Sequence, residues 1–533
     1  MSNTHADEKL IKTRWLNIFI SLFSIFLLRI FLESFSSPID ISGTVPPWQG
    51  YLLHIPLSYF AIFLSLVLII YLITKSNIKK IAIFLTYAHL LLLLPPILDF
   101  IIDGRKPNSI IGYQFLNLHE LISYIKKVWL FDNVDGTTFG MRIAAILLAL
   151  MISFFILKQT RNRIKTLIGF FSVFLTMFLY ANIPSFLIII QLLKNTYAID
   201  PIFIWKVLIK NSWTNSNALQ SFDIAYALIM SQIFFLLITL QLSAIFYFLE
   251  KKSWLAILHN LRPERILNYF LLAFIGILIS IEKQSFFDII SYNIINLVSF
   301  FSFAFLLVLN ALIAIFTNDF YDLSTDKISN QHRPLIRNAI SLKRWKAILF
   351  ALIILFIFGL LTMNSRVILF MLMTQLLFFI YSAPPLQLKR YFLSSSILIG
   401  LTTGCTALAG FFLVSPEKTL LDFPYKILLT IIIAQAFLSN MKDIKDFSGD
   451  KNENIKTLPV ILGLRKAKVL IAIIYAIVFI TIPVFFSITG LIYPALFLSI
   501  LNFYFFTKKI YNEKYIFLTI FSYLLALFFY TLY

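Results

Sequence analysis

Long apolar runs, separated by short polar segments, make up most of this chain. Many runs are close to the 20 residues that a helix needs to cross a bilayer, and they lack the alternating pattern of a membrane β-barrel. We predict about fifteen spans, six before a basic stretch at 250–265 and nine after it. The predicted spans are 15–34, 56–74, 81–102, 141–157, 166–193, 223–249, 266–281, 289–316, 346–362, 366–382, 393–414, 424–441, 467–485, 487–507 and 514–532. The pattern therefore predicts an all-α polytopic membrane protein with a six-span module in residues 1–250 and a nine-helix bundle in residues 258–533.

Composition supports a membrane protein and argues against a nucleic-acid partner. Of the 533 residues, 60% are hydrophobic and 13% are charged, and the net charge is +20. The Lys and Arg residues are spread over many short loops, which fits the positive-inside rule and attraction to anionic lipid headgroups. With the N-terminus in the cytoplasm, the basic loops at 75–80 and 158–165 lie inside, and the loop at 35–55, which has no Lys or Arg, lies outside. We expect a multi-pass protein of the cell membrane.

Two acidic clusters follow long apolar runs and hold six of the 25 acidic residues. Asn318, Asp322 and Asp326 are spaced four residues apart, so they share one helical face, with Asp319 beside them. The second cluster, at 443–450, repeats the pattern with carboxylates at its first, fourth and eighth positions: Asp443, Asp446 and Asp450. Carboxylates packed this closely repel one another, and a hard divalent cation removes the conflict. The clusters therefore favour an Mg²⁺ site, although two solvated helix ends would give a similar pattern. The positive-inside count places both clusters on the cytoplasmic side.

Five ordered blocks of sequence resemble the UbiA-type intramembrane prenyltransferase family over residues 258–533. The first acidic cluster matches N-D-x-x-D-x-x-x-D, and the second matches D-x-x-D-x-x-x-D. The other matching blocks are His332-Arg333-Pro334-Leu335, Tyr381-Ser382-Ala383-Pro384-Pro385 with Lys389, and Thr457-Leu458-Pro459 with Gly463. Members of this family carry nine helices, the number that hydropathy predicts for this half of the chain.

The resemblance implies Mg²⁺-dependent transfer of an isoprenoid chain from a prenyl diphosphate donor to a small aromatic or lipid-like acceptor. The implied metal ligands are Asn318, Asp319, Asp322, Asp326, Asp443, Asp446 and Asp450, of which Asp322, Asp326, Asp446 and Asp450 are the predicted catalytic residues. The predicted substrate-binding residues are Arg265, Arg333, Tyr381, Lys389, Lys442 and Lys445. Arg262, like Arg265, precedes the first helix of the nine-span half, where the family often places an Arg that contacts the diphosphate. Aromatic faces would stabilise the allylic cation in a cavity that excludes water.

One segment departs from the family pattern. The family commonly follows R-P-L with a small-residue turn that contains Gly, whereas this chain reads Leu335-Ile336-Arg337-Asn338-Ala339-Ile340. We expect this loop to fold differently. The single cysteine, Cys405, lies in an apolar run, which is typical of a packing residue.

The first half of the chain has no recognised resemblance. Arg29 and Glu33 are spaced for a local ion pair near the outer end of the first span, and Asp40, Asp99 and Asp103 also fall near the outer face. These acids leave open a bifunctional enzyme whose first half resembles a glycosyltransferase that uses lipid-linked sugars. A partner or substrate-access module is the other interpretation. A transporter or scaffold that keeps the fold without catalysis is a further alternative, which the intact acidic motifs oppose.

Overall fold

The computed structural model describes residues 14–36, 49–103, 118–129, 138–192, 201–213, 222–282, 286 and 293–532. These residues form helices and no strand, apart from an isolated bridge between Tyr391 and Lys456. The predicted all-α class is therefore confirmed for the described part of the chain.

The first ten helices end at or before His259. They are α1 (Trp15–Ser36), α2 (Ile55–Thr74), α3 (Ile78–Ala88), α4 (Leu94–Asp103), α5 (Leu118–Trp129), α6 (Phe139–Thr160), α7 (Arg163–Ala181), α8 (Ile183–Leu192), α9 (Pro201–Lys210) and α10 (Phe222–His259). Twelve helices follow: α11 (Pro263–Ile281), α12 (Ile294–Tyr321), α13 (Leu323–Ser329), α14 (Leu342–Leu361), α15 (Ser365–Ser382), α16 (Phe392–Val414), α17 (Tyr425–Leu438), α18 (Met441–Asn452), α19 (Leu458–Leu462), α20 (Leu464–Phe485), α21 (Ile492–Thr507) and α22 (Glu513–Leu532).

The number of membrane-capable helices agrees with the pattern of apolar runs. Among the described residues, 14 helices are long and apolar enough to cross a membrane, or up to 15 if a bent pair counts as one span. The bent pair is α17 and α18, which meet at 41°. The sequence predicts a single span at 424–441 here, and the structure instead bends the chain and continues as a helix to Asn452. The prediction of an integral membrane protein is confirmed.

The chain divides into two compact units. The first unit comprises residues 1–250 together with 287–302, and the second comprises 251–286 together with 303–533, in each case as far as the structure describes them. Glu250 has non-helical backbone angles (φ −149°, ψ 63°) within α10, so the helix kinks there. Helix α12 begins in the first unit and ends in the second.

Within the first unit, the buried side chain of Arg29 supplies a hydrogen bond that Pro96 of α4 cannot make. Pro96 lacks the N–H that would bond the Leu92 carbonyl in a regular helix. Arg29 Nη1 donates to that carbonyl at 2.8 Å, and Arg29 Nε lies 3.6 Å from Glu33 Oε2, as the local spacing predicts. Asp99 Oδ1 accepts a hydrogen bond of 2.7 Å from the Gly140 N–H. Asp40 and the side chain of Asp103 lie outside the described residues.

Within the second unit, α11 and α16 approach each other through small residues. A Cβ atom on Gly276 would lie 1.9 Å from the Ala407 carbonyl oxygen, and one on Gly410 would lie 1.9 Å from the Ala273 carbonyl oxygen. Small residues spaced in this way let membrane helices pack backbone to backbone. This close contact fixes the wall of the bundle from which the first basic residues of the site project.

Candidate active site

A cavity of about 200 Å³ lies inside the second unit, and both acidic clusters face it. Six of the seven predicted metal ligands line it: Asn318, Asp322, Asp326, Asp443, Asp446 and Asp450. Five basic residues line the same cavity: Arg262, Arg265, Arg333, Lys389 and Lys442. The remaining wall includes apolar side chains such as Ala311, Ala314 and Ile315, up to two helical turns further into the bundle than Asn318.

The first acidic cluster crosses a helix break while keeping its helical register. Helix α12 ends at Tyr321, and Asp322 precedes α13 with φ −101° and ψ 17°. The Asp322 N–H still donates to the Asn318 carbonyl at 3.0 Å, and the Asp326 N–H donates to the Asp322 carbonyl at 2.8 Å. The predicted common face therefore survives the break, and all three side chains reach the cavity.

The second acidic cluster lies on α18, just after the bend. Tyrosine hydroxyls bond carbonyl oxygens at the two ends of that bend. Tyr475 donates to the Leu438 carbonyl at 2.8 Å, and Tyr511 donates to the Met441 carbonyl at 2.8 Å. Because buried carbonyls need a partner, these two bonds stabilise the bend that directs α18 along the cavity.

Two small contacts hold the acidic clusters side by side. The Gly449 N–H donates to Ser329 Oγ at 2.8 Å, and a Cβ on Gly449 would lie 2.5 Å from that oxygen, so only glycine permits this approach. Asn330 Nδ2 donates to Asp326 Oδ1 at 3.1 Å and to Asp446 Oδ1 at 3.0 Å. Asn330 thus bridges one carboxylate from each cluster, a role that no sequence signal indicated.

Asp319 lies behind the cavity. It is 2% exposed and is not among the residues that line the cavity. Its carboxylate accepts hydrogen bonds from Asn260 Nδ2 at 2.7 Å, Arg262 Nη2 at 2.5 Å and Arg333 Nη1 at 3.0 Å. Its oxygens are therefore occupied by protein donors, and its geometry suits anchoring two cavity arginines better than binding a metal ion.

Three basic side chains contact acidic or aromatic residues of the cavity. Lys389 Nζ contacts Asp322 Oδ1, and Arg333 Nη1 contacts Asp326 Oδ2. Lys442 Nζ donates to the Tyr381 hydroxyl at 2.6 Å and lies 4.6 Å from the centre of the Tyr381 ring. The predicted substrate-binding residues Arg333, Tyr381, Lys389 and Lys442 are thus brought together.

Glu513 joins two further predicted residues. Its Oε2 lies 3.5 Å from Arg265 Nη2, and its Oε1 lies 3.4 Å from Lys445 Nζ. Arg265 lines the cavity, whereas Lys445 does not. Glu513 begins α22, the last helix, and it lies far from every motif in sequence, so sequence reasoning missed it.

The donor set fits a hard divalent cation. Burial raises the pKa of Asp326 to about 7 against the effect of Arg333, and the carboxylates of Asp319 and Asp322 add to the increase. Among the described residues, no three Asp, Glu, His or Cys side chains already surround one ion position. The five carboxylates and the Asn318 amide of the two clusters nevertheless line one cavity, and oxygen donors of this kind suit Mg²⁺. Binding would require Lys389 and Arg333 to release their acidic partners.

The loop that follows Arg333 contains one residue in the left-handed backbone region that glycine favours. Asn338 adopts φ +56°, and Asn is among the few residues that enter this region readily. Leu335 and Ile340 on either side are buried with Phe316 and Trp345. The loop at 335–340 is therefore an Asn turn with an apolar base.

The second unit is a helical intramembrane domain with a cavity of opposed acidic and basic groups. The model of the UbiA prenyltransferase family matches residues 269–515, just under half of the chain. This match confirms the resemblance carried by the motifs, and the family model matches nothing in the first 268 residues.

Curated relatives are similar over part of their length. The digeranylgeranylglyceryl phosphate synthase of Pyrococcus furiosus is 33% identical over 163 residues, which are 29% of this chain and 54% of that protein. The protein of the same name from Saccharolobus solfataricus is 29% identical over 168 residues, or 30% of this chain and 57% of that protein. The chain thus spans little more than half the length of the relatives it matches.

Solved structures are similar over about half of the chain. A UbiA homologue from Archaeoglobus fulgidus bound to GPP and Mg²⁺ is 20% identical, with a TM-score of 0.38, and covers 51% of this chain and 96% of its own. A structure described as giving insights into digeranylgeranylglyceryl phosphate synthase in membranes is 21% identical, with a TM-score of 0.35, and covers 53% of this chain and 96% of its own.

Proposed function

We propose that residues 258–533 form a prenyltransferase domain that moves an isoprenoid chain from a prenyl diphosphate to a small or lipid-like acceptor with the help of Mg²⁺. One observation carries this proposal. Both acidic clusters and five basic side chains line a single cavity whose remaining wall includes apolar side chains. A diphosphate needs cations, and an isoprenoid tail needs apolar surroundings, so one cavity offers both halves of such a donor their preferred contacts.

The polar residues of the cavity form two groups, oxygen donors for the metal and cations for the diphosphate. Asn318, Asp322, Asp326, Asp443, Asp446 and Asp450 would hold the metal, and the four aspartates Asp322, Asp326, Asp446 and Asp450 would be catalytic. When bound, Mg²⁺ would offset the negative charge that the leaving diphosphate gains. Arg265, Arg333, Lys389 and Lys442 would bind the diphosphate oxygens, since charge-assisted hydrogen bonds to phosphate are strong.

Aromatic and apolar groups would control the reacting carbon. The Lys442 ammonium lies over the Tyr381 ring, and once Lys442 binds the diphosphate that ring face would be available to the allylic cation. The apolar wall would hold the isoprenoid tail and exclude water, which would otherwise capture an allylic cation. Lys445 would act at the cavity edge, through Glu513, rather than by lining the cavity.

Topology supports a cytoplasmic active site in the cell membrane. The acidic clusters follow the eighth and twelfth predicted spans, so they lie inside when the N-terminus lies inside, and the basic loops of the second half then lie on the same side. Accessibility of a cysteine placed at Lys451, in a variant in which Cys405 is replaced by alanine, would report the side of the membrane directly.

The test of this function is diphosphate release by the full chain in lipid nanodiscs. Geranylgeranyl diphosphate is supplied with extracted lipids and ring acceptors, in the presence of Mg²⁺ or EDTA. We expect release that depends on Mg²⁺ and falls at least 100-fold in both Asp322→Asn and Asp446→Asn, because each removes one charged donor from a different cluster. Mass spectrometry of the product then identifies the acceptor.

A matched control is Asp422→Asn, which changes a carboxylate of the same unit that is engaged with Thr419 and lies outside the cavity. It should release diphosphate at the rate of the unchanged chain. Absence of release from donors of every length, in protein shown to be folded, would refute the prenyltransferase function and favour a transporter or scaffold.

A further inference from the structure

Four exposed cations lie where α20 begins and α21 ends, and we call them the basic rim: Arg465, Lys466, Lys508 and Lys509. Lys468 Nζ donates to the Lys508 carbonyl at 3.1 Å, so the start of α20 and the end of α21 are held together. Within the described part of the chain, none of the four rim cations forms an ion pair. Their charges are therefore open to an anionic partner.

An exposed apolar stripe on α21 leads to the basic rim. Phe497, Ile500 and Tyr504 precede Lys508 by eleven, eight and four residues, so they lie on one face of the helix. Their exposed fractions are 64%, 71% and 56%. The Lys508 ammonium lies 5.7 Å from the centre of the Tyr504 ring, so the stripe ends in an aromatic ring beneath a cation.

Helix α20 repeats this pattern in the opposite direction. Lys466 is followed at intervals of four, seven and eleven residues by exposed apolar side chains: Leu470, Ile473 and Ile477. Because α20 begins at the rim and α21 ends there, the two helices run antiparallel and their cations lie at the same end. Two neighbouring helices thus each carry an apolar stripe that ends in a cation.

The loop between α21 and α22 adds an apolar tip to the rim. Ile510 directly follows Lys509 and is 79% exposed. An exposed apolar residue beside ammonium groups and a tyrosine ring is the composition of surfaces that lie at the headgroups of a bilayer. An acidic protein segment would match the charges but would leave the two stripes and this tip uncovered. The surface therefore favours an amphiphile with a negative head.

We propose that the basic rim and the two apolar stripes form a binding surface for an anionic phospholipid. The headgroup would contact the rim cations, as anionic lipids do with clusters of Lys and Arg next to a membrane helix. The acyl chains would lie along the exposed stripes of α20 and α21. None of these residues lines the cavity, so the surface is separate from the candidate active site and does not depend on the proposed prenyl transfer.

The loop that carries the tip also carries two contacts of the candidate active site. Tyr511, directly after the tip, donates to the Met441 carbonyl at the bend before α18. Glu513, two residues further on, contacts Arg265 and Lys445. A phospholipid held at the rim would restrict the motion of this loop and so hold both side chains in the positions from which they reach the site.

Native mass spectrometry of the full chain, with lipid titrated into the detergent solution, tests the surface. The two probes are phosphatidylglycerol and phosphatidylcholine with the same acyl chains, of which only the first carries a net negative charge. The unchanged chain should bind phosphatidylglycerol about tenfold more tightly, and Lys508→Gln with Lys509→Gln should reduce this preference to about twofold or less, because each cation near an anionic headgroup adds to the affinity.

A matched variant removes two cations from another helix end of the same unit. Lys343 and Lys346 are exposed in the first turn of α14, and the Lys346 ammonium lies 5.0 Å from the centre of the Phe320 ring. Lys343→Gln with Lys346→Gln removes the same charge and should keep the preference within about twofold of the unchanged chain, because the rim remains intact. Equal losses in the two double variants, or an unchanged preference without Lys508 and Lys509, would overturn the surface.

Two competitors distinguish the phospholipid from other anions. Inorganic phosphate at the concentration of the lipid should leave phosphatidylglycerol bound, because it has no chains to cover the stripes. Complete displacement by inorganic phosphate would overturn the phospholipid in favour of a free anion. Binding of polyglutamate to the rim, with no preference between the two lipids, would overturn it in favour of an acidic protein.

Hydrogen exchange tests the connection to the active site. The amides of residues 508–513 should exchange about fivefold more slowly in nanodiscs that contain phosphatidylglycerol than in nanodiscs of phosphatidylcholine, because a held loop opens less often. The difference should vanish in Lys508→Gln with Lys509→Gln. Lipid binding that leaves the exchange of these amides unchanged would overturn the connection to Tyr511 and Glu513. Neither measurement involves diphosphate release, so failure of the proposed function and failure of this surface are distinguishable.

Discussion

Asp319 and Asp322 lie three positions apart in one motif, but their surroundings differ. Asp322 lines the cavity and contacts Lys389, whereas Asp319 is buried behind it among Asn260, Arg262 and Arg333. A metal ligand needs oxygen lone pairs that face the ion. The structure therefore separates two carboxylates that the motif alone treats as equivalent.

We predict that Asp319→Asn weakens donor binding without changing the metal requirement. The amide keeps the shape but removes the charge that holds Arg262 and Arg333, so the donor KM should rise about fivefold to tenfold and stability should fall by about 2 kcal/mol. The Mg²⁺ concentration at half-maximal activity should stay within twofold of the unchanged chain. Titration of Mg²⁺ against Asp319→Asn and Asp322→Asn in parallel checks this, and a tenfold shift in both would show that Asp319 is a ligand after all.

The residues that sequence could predict are those whose chemistry is unusual for their position. Aspartates beside long apolar runs are conspicuous, and all but Asp319 of the predicted metal ligands face one cavity. Asn330 and Glu513 gave no such signal, because a polar residue in a loop or at a helix start is ordinary. Their roles depend on which helices meet, and that is decided by contacts such as Gly449 with Ser329.

At the scale of the helices, the last helix completes the site. Glu513 at the start of α22 contacts Arg265 of α11 and Lys445 of α18, so three helices meet at one carboxylate. Asp446, which lines the cavity, is the other carboxylate whose charge acts on Arg265. Glu513 is therefore placed to keep these two cations away from the metal-binding carboxylates.

We predict that Glu513→Gln weakens Mg²⁺ binding. Arg265 and Lys445 would turn towards the acidic cluster and compete with the cation, so the Mg²⁺ concentration for half-maximal binding should rise about fivefold. Calorimetric titration of Mg²⁺ in the presence of inorganic diphosphate measures this without turnover.

The matched control for Glu513→Gln is the ion pair of Lys514 and Glu264, which joins the same helices, α22 and α11, as Glu513 and Arg265 do. Lys514 Nζ lies 3.6 Å from Glu264 Oε1, and Lys514 is largely exposed. Exposed pairs of this kind contribute little, so Glu264→Gln should leave Mg²⁺ binding within twofold. Equal effects of Glu513→Gln and Glu264→Gln would mean that only the docking of α22 on α11 matters, and restoration by Glu513→Asp would support a direct role of the charge.

The apolar runs predicted the helices well because each span must pair its own backbone N–H and C=O groups, as a helix does, to cross a bilayer. They did not predict the bend after Leu438. The run at 424–441 reads as one span, but the backbone turns by 41° where Tyr475 of α20 and Tyr511 of the loop before α22 supply hydroxyl donors. A bend that depends on partners elsewhere in the chain leaves no local pattern to read.

At the scale of the whole molecule, helix α12 belongs to both units. Its first residues pack in the first unit, where Asn296 Oδ1 accepts from the Trp213 N–H at 2.9 Å and Ser299 Oγ donates to Gln232 Oε1 at 2.9 Å. Its last residues carry Asn318 and Asp319 in the second unit. Residues 287–302, which follow the predicted boundary near residue 250, therefore group with the first unit as far as the structure describes them.

We predict that removal of residues 1–250 destabilises the remaining chain through these polar groups. Asn296 and Ser299 would lose their partners in apolar surroundings, at about 1–2 kcal/mol for each unpaired group. Replacing both, as Asn296→Leu with Ser299→Ala, should raise the melting temperature of the fragment 251–533, because the groups that lack partners are gone. The same two changes should lower the melting temperature of the full chain, where they break existing hydrogen bonds.

Thermal unfolding of the four proteins in nanodiscs measures both signs, and a change of the same sign in fragment and full chain would contradict the argument. Diphosphate release by the stabilised fragment would show in addition that the catalytic groups of the second unit suffice without residues 1–250.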